Sequence, residues 1–140
     1  MPILRSGDIC IGDSVAIAEY AAEKAPDAGL WPKDAMDRAL ARSLTARMHS
    51  GFTNLRRDCP MNLSNRFLDF KPDDGVLADL AVLQAAWTEC LNRSAGPYLF
   101  GAFGAVDAFF APVAIRVYGF NLSLSRQCMD YVNALLDHPL

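Results

Sequence analysis

A chain of 140 residues with a net charge of −3 is long enough to bury a core and short enough for a single domain. Hydrophobic residues at 52% and charged residues at 21% exclude a disordered chain, and the acidic balance lacks the basic footprint that nucleic acid or an anionic membrane requires. No apolar run reaches a membrane span and no basic-then-apolar leader opens the chain, so the expected address is cytoplasmic.

Residues 2–5 and 8–11 are short apolar runs separated by Ser6-Gly7, which predicts a β-hairpin with glycine in its turn. Gly12 breaks the second strand, and a helical pattern follows from Asp13 to about Lys24. Asp13 and Ser14 stand at the mouth of that helix, where free backbone N–H groups and the positive dipole end attract a small anion. The simpler reading is that Asp13 only caps the helix and Ser14 fills its first turn. Residues 25–33 are a linker with two prolines and a glycine, anchored by Leu30-Trp31.

One long helix is expected from Asp34 to Asp58, with an apolar stripe of Met36, Leu40, Leu44, Met48, Phe52 and Leu55. Asp34 is its expected N-cap, and Gly51 inside it suggests close approach of another backbone or a ligand. Cys59-Pro60 ends this helix, and 63–72 form a polar crossing. A third helix runs from about Asp73 to Arg93, burying Leu77, Leu80, Leu83, Trp87 and Leu91. The most apolar helix, from Ala105 to about Tyr118, reads as central to a bundle, with Pro112 inside it and Asp107 in its first turn. Asp107 reads as a folding element. A last helix spans about Ser125 to Asp137.

Cys10, Cys59, Cys90 and Cys128 are scattered, with no C-x-x-C pair, and His49 and His138 have no ligand partner at helical spacing. Neither a disulfide framework nor a metal site is expected, and the thiols read as reduced and mostly buried. Cys10 in particular reads as an inert buried thiol, with no His or Lys nearby in sequence.

The order of these motifs resembles the glutathione S-transferase family. Pro2-Ile3-Leu4, Gly7 to Ile11 and Asp13 to Tyr20 match the end of its thioredoxin-like domain, a proline-led strand, a second strand and a helix opened by an acid plus serine. Gly29-Leu30-Trp31-Pro32, Met48 to Phe52 and Gly104 to Phe109 continue the match. The fold so implied is mainly α. It is a helical bundle of the family's C-terminal type (34–140), preceded by a linker (25–33) and a hairpin-plus-helix remnant of the thioredoxin-like domain (1–24).

The resemblance implies glutathione as co-substrate, a small-molecule electrophile as its partner, and a homodimer in the full-length family. It assigns Asp13 to the γ-glutamyl ammonium, Ser14 to its carboxylate, and Pro2, as a cis-proline, to turning the Ile3 backbone toward the cysteinyl part. His49, Phe52 and Arg56, at helical spacing, are the expected lining of an electrophile pocket. Asp107 and Gly104 are structural, with Gly104 where relatives carry a capping Ser or Thr. The family's thiol-activating Tyr, Ser or Cys precedes the proline, whereas this sequence opens at Met1-Pro2. The expectation is therefore a truncated chain with little conjugating activity alone. A non-catalytic helical module for dimerisation or docking is the alternative.

Overall fold

The computed structural model describes residues 2–139. β1 (Leu4–Ser6) pairs antiparallel with β2 (Ile9–Ile11), Leu4 opposite Ile11 and Ser6 opposite Ile9. The loop is Gly7-Asp8, one residue later than the expected Ser6-Gly7. Gly7 has φ 58°, and a two-residue hairpin turn takes its positive-φ glycine at the first loop position, which draws Ser6 into the ladder. Ser6 Oγ then meets the Tyr20 hydroxyl at 2.6 Å. Cys10, expected to be buried, is exposed. Two short strands have too little surface to bury both faces.

α1 (Ser14–Lys24) is capped by Asp13 and leans on the core through Ala18 and Ala22. A fork from Arg42 to Glu19, at 2.8 and 2.7 Å, ties it to α2 (Ala35–Ser50). Between them a 3-10 turn at Pro26–Ala28 leads to Trp31, which is buried as the linker's anchor.

The expected helix from Asp34 to Asp58 is two helices. α2 stops at Ser50, and α3 (Thr53–Asp58) starts after Phe52, whose backbone is left-handed with φ 55°. Two local features and one contact from α4 (Asp74–Arg93) hold this break. A Cβ on Gly51 would stand 2.5 Å from the Arg47 carbonyl oxygen, so glycine is what permits the close turn. Arg56 donates to the carbonyls of Met48 and Gly51, closing the C-terminus of α2. Asp79, on α4, accepts the Leu55 N–H at 2.9 Å and so covers the N-terminus of α3.

α4 is capped by Asp73 and buries Val76, Leu80, Leu83, Trp87, Cys90 and Leu91. Leu77, expected inside, is 50% exposed, because the buried face runs through Val76 and places its neighbour about 100° away. Met36 is likewise exposed, 74%, since α2 buries Ala41, Leu44, Thr45 and Met48 instead. α5 (Ala105–Gly119) packs on α2 and on α6 (Arg126–Leu136), which Ser125 caps. The centre is aromatic. Trp87 meets Phe110 and Tyr131 edge-on, at centroid distances of 5.4 and 4.8 Å. Residues 61–72 cross the surface, and Phe67 and Phe70 pack on Phe120. Among the described residues no helix is long and apolar enough to cross a membrane.

Candidate functional site

Asp13 leaves β2 in extended conformation, and its Oδ1 accepts the N–H groups of Val15 and Ala16 at 2.8 and 3.0 Å. The Ala16 bond foremost, with Val15 and the neighbouring His49, holds its carboxyl below the ordinary 3.8 and outweighs an opposing desolvation. With Oδ1 used by the cap, Oδ2 points to another partner. That partner is His49, in the last turn of α2, whose Nε2 lies 3.2 Å away. The same ring places Nδ1 3.4 Å from Ser14 Oγ. Asp13, Ser14 and His49 therefore form one polar cluster where the start of α1 meets the end of α2.

The cluster opens on a shallow groove with a cavity volume of about 420 Å³, lined by Ser14, Met48, His49, Arg56, Ala108, Phe109 and Pro112. Pro112 has no N–H, so the Ala108 carbonyl loses its helical donor, and both residues belong to this wall. His49 and Phe109 meet edge-on at 6.5 Å. The groove offers an apolar wall beside a polar corner, the arrangement that suits a small molecule with a charged end and an apolar body.

Of the expected pocket residues, His49 and Arg56 line the groove. Arg56 does so with its guanidinium directed to the carbonyls of Met48, His49 and Gly51, so it braces the wall. Phe52 does not line it. It is only 7% exposed and sits in the core, because the break at Gly51-Phe52 swings it off the face that carries His49. Phe109 supplies the aromatic surface instead. Nothing in the sequence singles Phe109 out, since a helix apolar almost all round carries no signal to separate one face from another. Pro2 and Ile3 lie exposed before β1, outside the groove lining. The expected cis bond before Pro2 rests on Met1 and lies outside the described residues.

Asp107 and Gly104 belong to a separate region. Asp107 is fully buried, with Oδ2 accepting the Gly104 N–H at 2.9 Å and Oδ1 accepting the Leu99 N–H at 3.2 Å and the Tyr131 hydroxyl at 2.9 Å. Burial pushes its carboxyl up, and these three bonds partly offset the rise. A Cβ at Gly104 would stand 3.0 Å from the Leu30 carbonyl oxygen, which itself accepts the Ala105 N–H at 2.8 Å. The linker therefore passes where a capping side chain would begin. Among the described residues no group of three His, Cys, Asp or Glu side chains is placed to hold a metal ion.

No family model matches the chain. It is 30% identical over 132 residues to Glutathione S-transferase 1 of Dianthus caryophyllus, a match covering 90% of this chain and 58% of that protein. The chain thus spans less than two thirds of that relative's length. Its fold matches the crystal structure of a glutathione transferase homolog from Burkholderia gl BGR1 with bound glutathione, at a TM-score of 0.73 and 24% identity. That match covers 99% of this chain and 67% of the other.

Proposed function

We propose that this chain, which belongs to the glutathione S-transferase family, carries the γ-glutamyl end of a glutathione site at Asp13 and Ser14, next to a groove for a small electrophile. The observation that carries the reading is the cluster at the α1 mouth. One carboxylate oxygen and one hydroxyl, 13 and 14 in sequence, meet the same His49 ring at a positive helix end, and Ser14 and His49 line the apolar groove beside them.

An ammonium meets Asp13 Oδ2 as a charge-assisted pair. A carboxylate meets the Ser14 hydroxyl and the positive end of the helix. The thiol end then extends along the groove toward Phe109 and Met48, whose apolar surface suits an organic electrophile. The Ile3 backbone, preceding β1 and outside its ladder, is proposed to pair with the cysteinyl part of glutathione. No described residue is assigned to activating the thiol. Free cysteines throughout fit the cytoplasmic address that belongs to this reading.

Isothermal titration of glutathione into the chain tests this. Asp13→Ala and Ser14→Ala are each expected to weaken binding, Asp13→Ala by roughly tenfold through loss of the charge-assisted pair. Unchanged dissociation constants would reduce the mouth to a helix cap.

A second reading, the dimerisation or docking module, is favoured by a separate groove of about 320 Å³ between α2 and α4 that includes Leu40, Val82 and Ala86. Val82 is exposed there, and Arg47 also lines the groove. Sedimentation equilibrium separates the readings. A dimer broken by Val82→Glu while glutathione binding is lacking supports the module.

A further inference from the structure

We infer that His49 is an internal competitor for the Asp13–Ser14 seat: its ring holds both side chains in the free chain and leaves when an amino-acid end enters. The inference rests on the reading of the α1 mouth as a γ-glutamyl seat. Asp13 Oδ1 is committed to the N–H groups of Val15 and Ala16, so Oδ2 is the oxygen left for a ligand ammonium. His49 Nε2 stands 3.2 Å from that oxygen. Ser14 Oγ, the hydroxyl left for a ligand carboxylate, stands 3.4 Å from Nδ1 of the same ring.

One imidazole therefore covers both recognition groups at once. With Nε2 protonated it donates to Asp13, and in that neutral tautomer Nδ1 accepts the Ser14 hydroxyl proton. A γ-glutamyl end brings a donor to the first and an acceptor to the second, so it replaces the ring contact for contact and adds the charge pair. Displacement costs little. The His49 and Asp13 side chains are 43% and 46% exposed, and solvated pairs of this kind are weakly held.

The surroundings let the ring move. Arg56 directs its guanidinium to main-chain carbonyls, the His49 carbonyl among them, and so does not compete for Asp13. On the α5 side the ring faces Phe109, 6.5 Å away, with Ala108 and Pro112 also lining that side, so it can retreat along an apolar wall. The ring thus covers the seat from the groove wall that it already lines.

Two readouts test the inference. Calorimetry with glutathione compares the chain with His49→Ala and with His49→Phe, which keeps the ring against Phe109 and removes both nitrogens. Each variant is expected to bind threefold to fivefold more tightly, the range for an exposed pair that no longer has to be broken. Imidazole added to His49→Ala is expected to compete with glutathione again. The ¹⁵N resonances of the His49 ring are expected to shift on saturation with glutathione in the same direction as Asp13→Asn shifts them without ligand. Equal or weaker binding by both variants, or ring resonances unmoved at saturation, overturns the competitor. If Asp13→Ala still weakens binding in that case, the seat stands without it. If none of the proteins binds glutathione, the seat fails and the competitor with it.

Discussion

Replacing Asp107 by alanine is expected to cost more stability than any other single polar change in the chain, and the cost follows from three hydrogen bonds. Asp107→Ala orphans the Leu99 N–H and the Tyr131 hydroxyl, both on fully buried residues, at about 1–3 kcal/mol each. It also removes the acceptor of the Gly104 N–H, which is partly buried and recovers some hydration. Together with the lost capping contact of α5 the total is about 4 kcal/mol, a large share of the 5–15 kcal/mol that holds a domain folded. At about 0.3 kcal/mol per kelvin of unfolding entropy for a chain of this length, that is a fall of roughly 13 °C in Tm.

Tyr131→Phe isolates one of the three bonds and is expected to cost about 1–1.5 kcal/mol, or roughly 4 °C. Urea unfolding followed by circular dichroism gives both numbers, with an unchanged m-value as the sign that the unfolded state is the same. A cost for Asp107→Ala below about 1 kcal/mol would mean that the three donors find other partners, and Asp107 would not then be the hub of this buried network.

Thr45 is fully buried with no hydrogen-bond partner for its hydroxyl, so Thr45→Val removes an unsatisfied group at constant shape and is expected to stabilise the fold by about 1 kcal/mol in the same assay. Burial pushes the thiols of Cys59 and Cys90 up to about 11, while Cys10 is exposed; a thiol reagent at pH 8 is expected to label Cys10 quickly, and Cys59 and Cys90 only on unfolding. Asp13, Asp34 and Asp58 have carboxyls held below 3.8 by the Ala16 N–H, the Asp37 N–H and the Arg57 guanidinium respectively, so their contributions are present above 3.8 and lost as pH falls through the folded values. Asp107 has the opposite sign, its contribution being full below 3.8 and lost as pH rises through its raised folded value. In an acid titration Asp34→Asn, which keeps a capping side chain without the charge, is expected to lose less stability below pH 3.8 than the parent.

Much of this fold is legible in the sequence because its signals are local. Acid caps at Asp13 and Asp34, an apolar stripe on each helix and prolines between elements locate the hairpin, the linker and most of the bundle. The break at Gly51-Phe52 is not legible, for a physical reason. Phe52 and Leu55 are both buried, so the apolar pattern runs straight through a turn whose stabilising contacts come partly from α4, through Asp79. Leu77 misleads in the opposite way, since a stripe shows which residues are apolar and not which of two adjacent faces meets a partner.

The site divides along the same line. Asp13 and Ser14 are recognisable from their place at a helix mouth, and His49 from its spacing with Arg56. That the His49 ring touches both of the other two is a tertiary contact, 35 positions from Ser14 and one more from Asp13, with no periodicity to announce it. Phe109 was hidden by its helix, and Phe52 was misplaced by the same break that divides α2 from α3.

Amide mapping by ¹⁵N-edited NMR during a glutathione titration is the sharpest test of a γ-glutamyl seat at the α1 mouth. Saturable shifts are expected, concentrated at Ser14, Val15 and Ala16, extending to His49 and Phe109, and abolished together by the double substitution Asp13→Ala, Ser14→Ala. Shifts centred elsewhere on the chain, or none at millimolar glutathione, would contradict that seat.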